Sequence, residues 1–335
     1  MSAANLQAAA WATRAVCEVS ELTLPPQWAS ESERREITAR ASAIPNGLGR
    51  FWQITAPNGA RSHLYGTKHS NARVMLDLPP ELEEALARAR IIATESERRL
   101  SQRRFFRNDP LDSLRWRNSR GTAQPAPFEA EILPWVRTFY SGMGLSQPWT
   151  ILTDVALADL LLHEPCNDFN AGVFPIMDDL ILLEGLLAGA EERGLEPQGL
   201  FLTELSKPAR KEELHGILQV FGAYTQPRRD SAGRQAGMAL YAQGRLGEMM
   251  AWDTLYLEEV FGVERAQTYL EAADSYLLRD RNALWVKGIE EELLNGDVVM
   301  AVGAFHLPGE TGLVALLRAR GFTVERIMVA GERER

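Results

Sequence analysis

His63-Leu64-Tyr65-Gly66-Thr67-Lys68-His69 near the start of the chain has a counterpart near its end, Val298-Val299-Met300-Ala301-Val302-Gly303-Ala304-Phe305-His306. Each is a β-like run closing on Gly-x-x-His. Each leads into a Leu-Pro-x-Glu stretch, Leu78-Pro79-Pro80-Glu81 in the first case and Leu307-Pro308-Gly309-Glu310 in the second. A helical pattern and another β-like run follow in both. With only five histidines in 335 residues, two in matching contexts are informative. The repeat reads as two half-sites brought together at one edge of a sheet.

Working outward, Phe51 to Thr55 reads as a strand, Pro57-Asn58-Gly59 as a turn and Arg61 to Tyr65 as the returning strand of a β-hairpin. Pro79-Pro80 opens a helix with Leu82, Ala85, Leu86 and Ala89 on one stripe. Ile91-Ile92-Ala93-Thr94 reads as a buried strand with Glu95 at its end. At the other end of the chain the pattern is a helix over about 276–294, a strand over 298–302, a helix over about 311–320 stopped by Gly321, and a strand over 322–329. From about Trp149 to Leu278 the reading is mainly helical, apart from a short strand expected at Gly199 to Thr203 and ending at Glu204.

These elements predict an α/β (α+β) fold. A central mixed sheet comes from N- and C-terminal βαβ halves, with a large, mainly helical middle insertion. Residues 1–50 form a helical N-terminal segment broken at Pro25-Pro26. Residues 51–335 form a single domain with a helical cap at about 97–275. The helices between strands favour parallel pairing, and ligands gather at the carboxyl edge of parallel strands. His69, Glu95, Glu204 and His306 are each expected just past a strand.

Composition narrows the function. Hydrophobic residues make up 45% and charged residues 24%, as in ordinary globular proteins. A net charge of −9 argues against a nucleic-acid partner. No run approaches the ~18 apolar residues needed to span a bilayer. The Ala-rich start lacks the basic opening and compact apolar stretch of a signal peptide. Cys17 and Cys166 are the only cysteines, and two free thiols or one disulfide are equally open at this point. Arginines interleaved with Phe105, Phe106 and Trp116 over 98–120 read as a solvated cap whose stems cover apolar surface.

Two imidazoles and one or two carboxylates suit a divalent metal with an open position for water. His69 and His306 are the candidate metal ligands, Gly66 and Gly303 allow a sharp turn or a close approach, and Glu95 or Glu310 completes the set or acts as base. On the helix after Leu278, Asn282 falls in the apolar stripe with Val286, Ile289 and Leu293. A buried amide needs a polar partner. Arg281 beside it makes a donor pair for a substrate carbonyl or a carboxylate ligand. The alternative is an Asn capping a neighbouring loop and a surface Arg. His63, His163 and His215 read as structural. Gly-x-Ser-x-Gly, P-loop, His-Glu-x-x-His and Rossmann fingerprints are absent.

Trp52, the hairpin, Leu64 to His69, the Leu-Pro helix and Glu95 resemble the opening block of the TraB/PrgY/GumN family. Arg281-Asn282 through Trp285, then Val302 to Glu310 with Gly312, resemble its closing block. Asp178, the helix after it, Thr203-Glu204 and Tyr241 to Gly244 fit it more loosely, and the usual Gly before the mid-chain Asp is replaced in Ile176-Met177-Asp178. The family includes the Tiki proteases, which use manganese or cobalt, and is related in fold to the erythromycin-esterase and haem-binding ChaN groups. The resemblance implies a metallohydrolase acting on peptide, amide or ester bonds. It implies a divalent metal, Mn or Co with Zn also compatible, and a site of Gly66, His69, Glu95, Arg281, Asn282, Gly303, His306 and Glu310. It also implies export to the periplasm and a Cys17–Cys166 disulfide. The rival functions are a metal-free esterase using a His/Glu base and a non-catalytic haem- or peptide-binding protein. Oligomeric state, substrate and activity are not encoded in any motif.

Overall fold

The hairpin forms as its turn chemistry dictates. Gly59 takes φ +89°, the Ala56 amide donates to the Ala60 carbonyl, and the Ala60 amide donates to Asn58 Oδ1. The computed structural model describes residues 17–97, 124–162, 166, 174–226 and 231–334. The strands are β1 (Phe51–Thr55), β2 (Arg61–Thr67), β3 (Ile91–Ser96), β4 (Glu191–Glu196), β5 (Val298–Gly303) and β6 (Thr323–Arg326). They make one sheet in the order β4-β3-β5-β2-β1-β6. The inner pairs β4/β3, β3/β5 and β5/β2 are parallel, and β1 pairs antiparallel with both β2 and β6.

The expected mixed sheet is therefore present, and its two halves interlock. β5 from the C-terminal half lies between β2 and β3 from the N-terminal half. Every residue of β5 is buried, so Val298 to Val302 read as a continuous apolar run, as a parallel strand covered on both faces should. Fully burying each large apolar side chain there contributes about 1.5–3 kcal/mol. Flanking helices at Pro80–Leu86, Met177–Leu187, Arg281–Asn295 and Leu313–Ala319 complete this core.

The expected strand over Gly199 to Thr203 is a helix instead, Leu200–Leu205, opened by Gly199 at φ +76°. Leu-Phe-Leu is too short an apolar run for periodicity to separate strand from helix. The real fourth strand, Glu191–Glu196, is an edge strand whose outer half is charged and largely exposed. Charge on an edge blocks unwanted pairing, and it also hides the strand from a hydrophobicity reading. Glu204 consequently sits on a helix, paired with Lys207, rather than at a strand end.

The middle of the chain is helical, with helices at Leu133–Gly142, Asp154–Leu162, Lys211–Ala223, Leu246–Phe261 and Val263–Asp274. They enclose a second core built on Ile132, Val136, Tyr140, Leu157, Ile217 and Leu257. Of the N-terminal segment, residues 17–50 carry one helix, Glu31–Ser42, capped by Ser30 and Glu33. Cys17 and Cys166 form a disulfide across 149 positions of sequence. The Arg-rich stretch 98–120 and His163 lie outside the described residues.

Candidate active site at the parallel strand ends

Strand register decides where the twin motifs go. Thr67 at the end of β2 stands directly opposite Gly303 at the end of β5. His69 follows Thr67 by two residues. His306 follows Gly303 by three, on a one-turn 3-10 helix spanning Ala304–His306. β3, on the other side of β5, carries Glu95 to the same edge. The three side chains converge on one carboxylate oxygen. Glu95 Oε1 lies 3.5 Å from His69 Nε2 and 3.9 Å from His306 Nε2, and it accepts the Gly303 amide at 2.8 Å.

Gly303 is needed for space and not for a left-handed turn, since its φ is −49°. A Cβ there would sit 3.1 Å from both Glu95 Oε1 and His69 Nε2. Gly66 also serves close packing. A Cβ on it would come within 3.0 Å of Ala304 Cα and Leu307 Cδ2, in the turn that carries His306. Of the two roles expected for these glycines, close approach is the one observed, though what approaches is the protein itself.

Each histidine is held by its other nitrogen. Asp178 Oδ2 lies 2.9 Å from His69 Nδ1, and Asp178 Oδ1 accepts from Thr67 Oγ1 at 2.7 Å. An ionised carboxylate only accepts, so Nδ1 carries the proton. Asn282 fills the matching place for His306. Its Nδ2 donates to the carbonyls of Thr311 (2.9 Å) and His306 (3.3 Å), which leaves Oδ1 facing His306 Nδ1 at 2.7 Å. With an acceptor there, Nδ1 must again be the protonated nitrogen. Asn282 thus combines two readings of the sequence, capping a loop and serving the site.

Arg281 orients carboxylates. Its guanidinium donates to Glu95 Oε2 at 2.9 Å and to both oxygens of Glu196 at 3.0 and 3.1 Å. Glu196 also accepts from Trp285 Nε1 at 3.1 Å, and the Trp285 ring packs 4.4 Å from the His306 ring. The guanidinium stacks 4.5 Å over Trp285 and 5.1 Å over Phe201. A π-helical turn, Ser275–Asp280, immediately precedes Arg281. Such a turn re-phases a helix by an extra residue and recurs at functional sites. Here neighbouring residues serve different partners, Arg281 the carboxylates and Asn282 the histidine.

The electrostatics separate the two imidazoles. The Asp178 charge raises His69 to about 10, with hydrogen bonds to Asp178 and Glu95 adding and burial opposing. Burial drops His306 to about 3, with Arg281 and His69 adding and Glu95 opposing. Burial alone would raise the Glu95 carboxyl, but Arg281 and the two histidines hold it well below the usual range. Near neutral pH the cluster is an imidazolium, a carboxylate and a neutral imidazole. The His69 side chain is 53% exposed while that of His306 is 7% exposed, so the cluster opens to solvent on the His69 side.

Of the residues singled out in the sequence, Gly66, His69, Glu95, Arg281, Asn282, Gly303 and His306 are brought together. Glu310 is not: it is exposed, four residues beyond His306, and among the described residues no hydrogen bond or ion pair joins it to the cluster. Asp178 and Glu196 are the acids that sequence reasoning left out of the site. Asp178 had a usable signal, an acid in the first turn of a helix that runs on as Leu180-Ile181-Leu182-Leu183; it is fully buried and must be partnered. Glu196 had none, because its edge strand was unread. His63 is half-buried and stacks on Phe51, and His215 is exposed.

A family model described as the TraB/PrgY/gumN family matches residues 144–326. That span holds Asp178, Glu196, Arg281, Asn282 and His306. The β2 and β3 half of the site precedes it and is joined to it by the pairing of β5. No curated protein and no solved structure gives a significant match. With more than half of its length covered by that model, the chain belongs to the TraB/PrgY/gumN family.

Proposed function

We propose that this chain is a metal-dependent hydrolase of peptide, amide or ester bonds, exported to an oxidising compartment. One observation carries the reading: His69 and His306 turn their Nε2 atoms toward the same Glu95 oxygen, each with Nδ1 tied to a fixed acceptor. Tying the far nitrogen to a carboxylate or carbonyl-type oxygen is how metal-binding histidines are oriented and made basic. Among the described residues no group of three or more His, Cys, Asp or Glu side chains is already set as a metal cage. The donor chemistry nevertheless fits, since two imidazoles and a carboxylate are ligands for Mn, Co or Zn. A bound divalent ion would polarise a carbonyl and activate water.

The chain's own residues would do the rest. Arg281 holds Glu95 ionised and aimed at the two histidines, and Glu196 holds Arg281. Asp178 and Asn282 fix the proton of each histidine on Nδ1. For a metal to bind, His69 must release its Nε2 proton, so uptake should be stronger as pH rises. The disulfide suits an exported protein, and no helix among the described residues is long and apolar enough to cross a membrane.

Metal content of the purified protein, together with turnover on a broad peptide and ester panel, tests the proposal. His69→Ala with His306→Ala should remove both metal and turnover. Full turnover after chelation would overturn the metal reading. It would select a metal-free reading instead, with one histidine as general base and Glu95 orienting it.

A further inference from the structure

A concavity lies at the other end of the same strands, away from the histidine cluster. Gln53, His63 and Val299 are directly opposite one another on β1, β2 and β5, forming one rung of the sheet. Arg61, two residues before His63, projects from the same face of β2. Ala85 on the Pro80–Leu86 helix, Arg88 just past its end, and Asp297 before β5 close a cavity of about 260 Å³. From Val299 to Gly303 the strand rises roughly 13 Å at about 3.3 Å per residue. The cavity is thus separate from the histidine cluster.

Its charge is unusual for this chain. The protein carries a net charge of −9, yet two guanidiniums and one carboxylate are the charged groups lining this cavity. Among the described residues, the Arg61 guanidinium has no hydrogen-bond or ion-pair partner. Among the described residues Arg88 pairs only with Glu84, at 3.7 Å, with both side chains about 70% exposed. Such a pair competes poorly with a better ligand. The Gln53 carboxamide donates only to Thr55 Oγ1, at 3.3 Å. Burial, with Arg88 adding and Asp297 opposing, lowers the pKa of His63, so the ring meets a ligand as a neutral hydrogen-bonding group. The volume falls below the ~300–1,000 Å³ of pockets for drug-sized ligands, which restricts the occupant to a small solute.

We propose that this cavity binds a compact oxyanion, a carboxylate or phosphate group on a small solute, clamped by Arg61 and Arg88 with His63 and Gln53 completing its hydrogen bonds. Paired guanidiniums match the geometry of both groups. The proposal does not depend on the hydrolase reading.

The test is NMR of the His63 ring, assigned with His63→Asn, during separate titrations with inorganic phosphate and with succinate at neutral pH and low ionic strength. A saturable shift with either anion is expected. Saturation by phosphate alone identifies a phosphate site, and by succinate alone a carboxylate site. Arg61→Gln should weaken binding by about tenfold or more, and Arg61→Gln with Arg88→Gln should abolish it. Both side chains are exposed, so these variants keep the fold. His69→Ala with His306→Ala should leave the titration unchanged, which separates this site from the candidate active site. Shifts that stay linear with both anions would overturn the proposal. So would a saturable shift indifferent to Arg61 and Arg88.

Discussion

Asp178 and His69 are 109 positions apart in sequence and are joined by a 2.9 Å contact between a fully buried carboxylate oxygen and a ring nitrogen. The carboxylate occupies the first turn of the Met177–Leu187 helix, where the helix dipole favours negative charge. Thr67, at the end of β2, holds its second oxygen. The pair therefore anchors the open half of the site to the N-terminal end of that helix.

Asp178→Asn should keep the shape and remove the charge. His69, raised to about 10 chiefly by that charge, should fall back toward its ordinary range. Under the proposed function, metal affinity or turnover should drop by roughly 10–100-fold, the usual cost of removing the partner of a metal-binding histidine. Histidine NMR titration beside activity assays checks this; an unchanged His69 pKa would count against the assignment.

Gly303→Ala should be a clean probe of the site. The backbone angle suits alanine, so the fold should persist. The new methyl would press on Glu95 and His69 at 3.1 Å and displace them by a few tenths of an ångström. Activity is expected to fall at least about tenfold, given how steeply catalysis depends on geometry. Thermal melting should change little. Normal turnover in a folded Gly303→Ala protein would place the chemistry elsewhere.

The histidine cluster's own contribution to stability should be fullest near pH 6.5 and decline on both sides. His69 is raised from 6.5 to about 10, so its contribution is complete below 6.5 and is lost as pH climbs through 10. His306 is lowered from 6.5 to about 3, so its contribution is complete above 6.5 and is lost as pH falls toward 3. Glu95, also lowered, adds to the acid limb below its ordinary 4.5. Urea midpoints across this range test the scheme. In His69→Ala the alkaline decline should flatten; an unchanged alkaline slope in that variant would contradict it.

Breaking the disulfide should cost stability without touching the site. Closing 149 positions of sequence corresponds to about 5 kcal/mol in the chain-entropy treatment. For a protein of this size that is roughly 5–10 °C in Tm. Cys17→Ser with Cys166→Ser, or a reductant, should show the loss in a melting curve. An identical Tm in the reduced protein would mean that the bond does not form.

The residues themselves determined the element types near both ends of the chain, and with them the α/β class. Hydrophobic run, turn and helix stripe are local signals, readable at Phe51 to Thr55, Ile91 to Thr94 and Val298 to Val302. The same local logic marked Asn282, because an amide in an apolar stripe demands a partner. Other features required the folded chain. Register between β2 and β5 is a long-range pairing, and only it could show that the two Gly-x-x-His motifs meet around Glu95. Edge-strand charge concealed β4 and therefore Glu196, leaving Glu204 in its place until the strand was located. Asp178 shows the same limit. Its burial was implied by the apolar helix around it, but the identity of its partner depends on which surfaces pack together, and that is settled by tertiary contacts and not by neighbours in sequence.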